Sequence, residues 1–413
     1  MESVKGTTVQ ITDEGPTSQN AGKGLSTVTT LIFSAAAGLS VANVYYAQPL
    51  LDAMAQDFGI SPSAIGLVVT LTQLGYALGL IFIVPLGDLV DRRRLVLAQG
   101  ILSVLALVAV ATARTEAFLF ASLAAMGVLA VVVQALVAFA ATLATPAERG
   151  KAVGMVTSGV VVGILGARFF AGLLADLGGW RAVYMTSAVL TAIMVGILIR
   201  VLPRQLSPNS TESYGATLRS IPVLFLRDPV LLVRGLLALL VFATFSTFWT
   251  ALVLPLSTPP YSYSHTQIGL FGLFGMAGAI AAAGAGRLAD RGLGQWTTGL
   301  SLMLLFAAWG LIAMLPVLLF LLLVGVVLLD LAVQAVHVTN QSIILARHPN
   351  ASSRLVGGYM VFYSIGSAIG AISSTMAYAQ AGWTGVSILG AGFSALALIV
   401  WATTLRLSAA EAQ

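Results

Sequence analysis

The chain has 413 residues, 58% of them hydrophobic and 8% charged, with a mean hydropathy of +0.97. Soluble domains lie nearer half apolar and a quarter charged, so a soluble protein is excluded and an all-α integral membrane protein is expected. There is no cysteine, which removes disulfides, thiolate metal sites and cysteine chemistry. The pI of about 9.6 does not point to nucleic acid, because the basic residues sit in short loops between apolar runs.

Residues 1–28 are polar and mixed in charge, without the basic, apolar and small-residue succession of a signal peptide, and read as a tail. At about 20 apolar residues per crossing, twelve spans follow. The first six lie near 29–51, 63–87, 95–113, 116–144, 151–174 and 181–202. The other six lie near 231–257, 266–286, 296–314, 316–346, 355–379 and 384–405. Between them, 203–230 holds Pro203, Pro208, Asn209, Ser210 and Pro222 and reads as a polar linker. Residues 406–413 form a second tail. With both termini inside, 17 of the 20 lysines and arginines are cytoplasmic; Arg114 and Arg181 fall outside, and Arg168 falls within a span. That asymmetry places both termini in the cytoplasm.

The two sets of six spans are related. A shift of 203 residues lays Ile65-Gly66-Leu67 on Ile268-Gly269-Leu270, Val153-Gly154 on Val356-Gly357, Gly163 on Gly366, and Gly179-Trp180 on Gly382-Trp383. A charge cluster also recurs. Gly87-Asp88-Leu89-Val90-Asp91-Arg92-Arg93-Arg94 follows one span, and Gly286-Arg287-Leu288-Ala289-Asp290-Arg291-Gly292 follows another. The fold class expected is therefore two pseudo-repeated six-helix bundles, residues 29–202 and 231–405, a secondary-transporter architecture.

With twelve spans, a central loop and paired Gly-x-x-x-Asp-Arg loops, the chain resembles the major facilitator superfamily over about residues 29–405. It looks most like the bacterial drug:proton antiporter-like exporters. The family loop usually continues Asp-Arg-x-Gly-Arg-Arg, whereas Asp91-Arg92 runs directly into Arg93-Arg94. The fourth span lacks the buried arginine usual in those exporters, and Ala167-Arg168 stands where their fifth span usually has Gly-Pro.

Span 10 carries Asp330, Gln334, His337 and Gln341, which fall within about 60° of one another on a helix. A carboxylate at mid-span costs roughly 2.5–3.5 kcal/mol, so it faces a cavity or a partner. This stripe is either a proton-coupling and substrate-binding face or a polar seam joining helices. Arg168 either neutralises Asp330, binds an anionic substrate or snorkels to the membrane edge. Span 1 offers Asn43, Tyr45, Tyr46 and Gln48, and span 7 offers Phe245, Phe248 and Trp249. The resemblance implies that spans 1, 4, 7 and 10 line the central cavity. Asn43, Tyr46, Gln134, Phe248, Trp249, Gln334, His337, Gln341, Tyr359 and Tyr363 are the candidate substrate contacts, the alternative for the aromatics being packing. Gly159, Gly163, Gly166, Gly366 and Gly370 suit close helix crossings. For Gly87, Asp91, Arg92, Arg149, Gly286, Asp290, Arg291 and Arg354 the resemblance implies an inner gate; topology alone also accounts for their charge.

His265, His337 and His348 are scattered and lack carboxylates at metal-ligand spacing, and no phosphate-cradling loop is present, so neither metal nor cofactor is expected. The expected function is secondary transport of a small molecule across the inner membrane by a non-enzymatic monomer. Proton-coupled export of an apolar or amphipathic compound comes first. Transport of an anionic metabolite on Arg168 is the alternative, and a membrane sensor a third.

Overall fold

The structure is a computed structural model that describes residues 26–145, 148–203, 214–347 and 352–409. The described residues are helical with short connections, as a lipid-facing backbone must be when only internal hydrogen bonds are available. Among them, nine helices are long and apolar enough to cross a membrane. The first stretch of chain forms α1 (Thr27–Tyr45), α2 (Leu51–Phe58), α3 (Leu67–Phe82), α4 (Arg92–Ala111), α5 (Glu116–Leu129), α6 (Val132–Leu143) and α7 (Arg149–Val201). The remainder forms α8 (Tyr214–Arg227), α9 (Pro229–Ala251), α10 (His265–Ala281), α11 (Gly294–Ile312), α12 (Leu319–Arg347) and α13 (Ser352–Ala409).

Side chains set the helix starts. Asp91 accepts the Arg93 N–H at 2.8 Å and Asp228 the Val230 N–H at 2.9 Å, each satisfying an orphan donor of the first turn. Ser264 and Gln267 form a reciprocal capping box at the start of α10. The helix α7 has 53 residues, about 80 Å at 1.5 Å per residue, far more than one bilayer core. Its helical geometry breaks at Gly179, where φ is 77°, a conformation glycine alone reaches without a Cβ penalty. The 58-residue α13 breaks in the same way at Ala381 and Gly382. Both breaks fall on the Gly-Trp pairs that the 203-residue shift superposes.

Two expectations change. The expected polar linker holds a helix at 214–227, because Thr217, Ile221 and Phe225 recur every four residues and give α8 one face to pack; Thr217 and Phe225 are buried, with Phe225 at 5.5 Å from the Phe362 ring. The expected fourth span is interrupted at Ala130–Val131, dividing α5 from α6.

Backbone-to-backbone crossings hold the helices together. Gly159 and Gly163 of α7 lie against Ser34 and Gly38 of α1, and Gly366 and Gly370 of α13 lie against Leu239 and Ala243 of α9. Such contact maximises dispersion where lipid tails leave little hydrophobic drive between helices. A Cβ on Gly166 would meet only the Phe170 ring of its own helix, at ordinary contact distance, so Gly166 is not part of a close crossing. Early and late chain meet at α3–α13, where Thr70 Oγ1 donates to Ala368 O at 3.0 Å and Thr375 Oγ1 to Ser63 O at 3.1 Å. A leucine at Gly163 would collide with the Gly38 backbone, so Gly163→Leu is expected to destabilise the fold by about 1–3 kcal/mol. Thermal unfolding in detergent checks this, and an unchanged midpoint would contradict the close crossing.

Candidate functional site

Asp330 of α12 is fully buried, and neither carboxylate oxygen has a hydrogen-bond partner. The Arg168 guanidinium of α7 acts on it electrostatically, and the Trp249 indole N–H of α9 stands near it without meeting hydrogen-bond geometry. The helix α10 passes both charges with glycines, Gly272 against the Arg168 side chain and Gly275 against the Asp330 carboxylate, where a Cβ would collide. Arg168 is 1% exposed, so it does not snorkel. Its Nε donates to Gln48 Oε1 at 3.0 Å and its Nη1 to Ile164 O at 3.0 Å, while Nη2 has no hydrogen bond. The guanidinium carbon lies 4.0 Å from the Trp249 ring centroid, 5.3 Å from that of Tyr45 and 5.4 Å from that of Phe245. Three aromatic faces therefore replace part of the hydration that burial removed. Arg168 and Asp330 make no direct salt bridge; each keeps unbonded polar atoms.

Tyr45 extends the site. Its hydroxyl is hydrogen-bonded to that of Tyr363 of α13. The Tyr363 ring packs on Phe242 with centroids 3.9 Å apart, and Phe242 stands edge-on to His337 at 5.2 Å. His337 Nδ1 lies 3.1 Å from the Tyr359 hydroxyl. Of the candidates from sequence, Asp330, Arg168, Trp249, His337, Tyr359 and Tyr363 are thus brought into one continuous polar and aromatic cluster. Gln334 and Gln341 are half-buried on the same helix.

The others lie elsewhere. Asn43 Oδ1 accepts from Ser187 Oγ at 2.6 Å and the Tyr46 ring stands edge-on to Tyr184 at 6.4 Å, so both face the second part of α7. Phe248 packs against Trp309 and Trp383, with centroids 6.3 Å apart in each case. Gln134 donates to the Tyr76 hydroxyl at 3.3 Å and lines a cavity of about 250 Å³ that opens at the Arg92 end. This cavity is walled by apolar residues of α3, α6, α8 and α13, with Arg92, Gln99, Thr217 and Arg354 among its polar groups.

Sequence reasoning passed over Arg234, counted among the cytoplasmic cations at the start of the span expected at 231–257. It is 2% exposed, and its Nη1 donates to Thr298 Oγ1 at 3.0 Å and to Asn340 Oδ1 at 3.1 Å. Phe242 and Tyr76 carried no signal in sequence, since aromatic residues are common in any span.

Against this geometry, the comparisons with known proteins agree on the family. The family model described as Major Facilitator Superfamily matches residues 31–352 and 248–413. The chain belongs to the Major Facilitator Superfamily. It is 45% identical to the uncharacterized transporter YgaY of Escherichia coli (strain K12), over 91% of this chain and 95% of that protein. A transporter of Streptomyces coelicolor is 32% identical over 89% of this chain and 86% of its own. In fold it is similar to the crystal structure of a bacterial homologue of the human lysosomal transporter Spinster, inward-facing and occupied, with a TM-score of 0.73 at 14% identity, covering 92% of this chain and 96% of that one. The protein is accordingly a multi-pass membrane transporter with an alternating-access fold.

The superfamily loop residues are placed as follows. Asp91 caps α4 and stands 3.9 Å from Arg94, while Arg92 donates to Gly87 O and to Thr142 Oγ1, each at 2.9 Å. Arg93 Nη2 reaches Ile199 O at 2.6 Å. Arg149 and Arg291 are exposed, and Arg354 joins Arg92 in the cavity wall. The side-chain surroundings of positions 286 and 290 lie outside the described residues. At the opposite end, Asp57 accepts from Trp180 Nε1 at 3.0 Å and pairs with Arg181, whose bond holds the Asp57 carboxyl below its ordinary pKa.

Gln48 is the side chain that fixes the direction of Arg168. Gln48→Leu leaves the guanidinium Nε unbonded in the interior and is expected to lower stability by about 1–3 kcal/mol. A thermal unfolding midpoint equal to wild type would contradict that role.

Proposed function

We propose that the protein exports a small apolar or amphipathic compound across the inner membrane in exchange for protons, with Asp330 as the proton-exchanging group. One observation carries this: a fully buried carboxylate without a hydrogen bond, opposite an arginine held by other partners. An ionisable group kept unbonded at membrane depth is costly and is tolerated where its protonation state changes during the cycle. Protonated, Asp330 releases Arg168 to Gln48 and the surrounding rings. Ionised, it draws the guanidinium towards itself. Arg168 is the counter-charge that couples the two states. Trp249, His337, Gln334, Gln341, Tyr359 and Tyr363 contact the substrate, and Gln134 meets it on the way from the Arg92 end.

The proposed architecture is twelve crossings. Nine helices are long and apolar enough, two of these are broken at Gly179 and Gly382 into two crossings each, and the shorter α10 adds one more. Residues 29–202 and 231–405 then form two bundles joined by 203–230. The excess of basic residues at the Arg92 end places that end, and both termini, in the cytoplasm. Gly87, Asp91, Arg92, Arg149, Gly286, Asp290, Arg291 and Arg354 form the inner gate, a reading supported by the cavity that Gly87, Arg92 and Arg354 line.

In everted vesicles energised by a proton gradient, a pH-sensitive dye is expected to report proton release when an exported amphipathic cation or neutral compound is added. Asp330→Asn is expected to abolish that signal while the purified variant still binds the compound. Normal exchange by Asp330→Asn overturns the coupling role.

A second reading is favoured by the unbonded Nη2 of Arg168. On that reading the substrate is an organic anion and Arg168 is its ligand. Arg168→Ala would then lose binding of a carboxylate or phosphate compound by at least about tenfold, and unchanged affinity overturns it.

A further inference from the structure

At the end opposite Arg92 stands a histidine that the proposed exchange at Asp330 does not use. His265 opens α10 and inserts between two carboxylates from much earlier in the chain. Its Nε2 stands 3.0 Å from Asp52 Oδ1 of α2, and its Nδ1 stands 3.2 Å from Asp176 Oδ1 of α7. The backbone completes the contact. The His265 N–H donates to Asp176 Oδ1 at 3.1 Å and the Thr266 N–H to Asp176 Oδ2 at 2.9 Å, so Asp176 caps the first turn of α10. One turn before Asp176, Gly172 lies so near the His265 carbonyl that a Cβ would collide with it.

A neutral imidazole has one N–H and one lone pair. With a carboxylate oxygen against each nitrogen, the neutral ring sets lone pair against lone pair on one side. The imidazolium donates on both sides and neutralises one of the two negative charges. The charged groups facing the ring are Asp52 from α2 and Asp176 from α7. The first turn of α10 adds Ser264, Thr266 and Gln267, none titratable near neutrality, and the neighbouring Asp57 is engaged by Arg181 and Trp180. The ring is part exposed, at 23%, so protons reach it from solution. The bond to Asp52 raises the His265 pKa above the ordinary imidazole value, with burial opposing. Burial would lift Asp176, but bonds from Thr266, Ser264 and His265 outweigh it and hold the carboxyl at about 2.

We propose that His265, Asp52 and Asp176 form a second proton site, separate from Asp330, whose occupancy holds this end of the transport path shut. The sign follows from the linkage. The closure that protonation supplies is complete below the ordinary imidazole pKa of about 6.5 and is lost as pH rises through the raised value. The site also reaches the centre. Asp52 follows Gln48 by four residues, across a 3-10 turn that runs into α2, and Gln48 is the residue that holds Arg168. Releasing Asp52 therefore loosens the side chain that keeps Arg168 from Asp330. The proposal rests on alternating access and not on Asp330 being the coupling group.

The natural absence of cysteine makes the test direct. Ser61→Cys and Thr258→Cys, both exposed at this end, accept spin labels on the two sides of the contact. Pulsed paramagnetic resonance in lipid nanodiscs reads their separation from about pH 5.5 to about pH 8.5. The expected result is a short distance at low pH and a longer population that grows as pH rises. His265→Asn is expected to show the longer population at every pH. Asp330→Asn is expected to retain a pH-dependent distance change, with its midpoint displaced through the Gln48–Arg168 link. Loss of the change in His265→Asn alone marks this site, so failure of proton coupling and failure of this site are told apart. A wild-type distance independent of pH, or an unaltered pH response in His265→Asn, overturns the proposal. If His265→Asn does not fold, Asp52→Asn takes its place: loss of the pH response supports the site, and an unchanged response overturns it.

Discussion

Everything around the centre of this molecule answers to one constraint, the burial of a positive and a negative charge where water does not reach. Taking an ion out of water costs several kcal/mol even after the protein relaxes. Arg168 meets that cost through Gln48, the Ile164 carbonyl and three aromatic faces. Asp330 has no comparable support, since no hydrogen bond reaches its carboxylate. The inequality matters more than the pair itself. An arginine that is solvated by fixed partners remains charged, whereas a carboxylate left bare has a reason to bind a proton or a ligand. The glycines of α10 allow both groups to approach that helix, since any side chain at Gly275 would occupy the space of the carboxylate.

The two ends of the bundle differ in how they are held. At the Asp52 end, early and late parts of the chain are joined by charged and backbone contacts: His265 between two carboxylates, Asp176 on the α10 N-terminus, Thr375 on the Ser63 carbonyl. At the Arg92 end, the same parts of the chain line a cavity with mostly apolar walls. Holding the Asp52 end with titratable contacts makes that end sensitive to pH. In the proposed cycle, protons therefore act at two depths, on a carboxylate in the middle and on a histidine at the rim.

Much of this was legible in the sequence, and what was not has definite causes. Apolar run length marked most of the long helices but neither α8 nor the break between α5 and α6, and the Gly-Trp pairs of the 203-residue shift coincide with the points where α7 and α13 break. Asp330 and Arg168 stood out because an ionisable residue in an apolar run is rare. Their partners did not, because adjacent helix positions point about 100° apart and sequence does not fix the phase. Tyr45 and Gln48 reach Arg168, whereas Asn43 and Tyr46, in the same segment, turn to the part of α7 beyond Gly179. Phe245 reaches it, whereas Phe248 packs on Trp309. Arg234 was counted as cytoplasmic because it lies near the start of the span expected at 231–257, and burial of its head group depends on Thr298 and Asn340, distant in sequence. His265 looked isolated for the same reason: its carboxylates are 213 and 89 residues away along the chain.

The central claim is that Asp330 exchanges a proton while buried, and infrared difference spectroscopy reads that event on the carboxyl group itself. In lipid nanodiscs stepped between acidic and alkaline buffer, the protonated carboxyl stretch of a non-hydrogen-bonded side chain is expected to appear and disappear in the wild type. It is expected to be missing from Asp330→Asn and retained in His265→Asn. A wild-type difference spectrum without such a band, or one that Asp330→Asn leaves intact, would contradict the account.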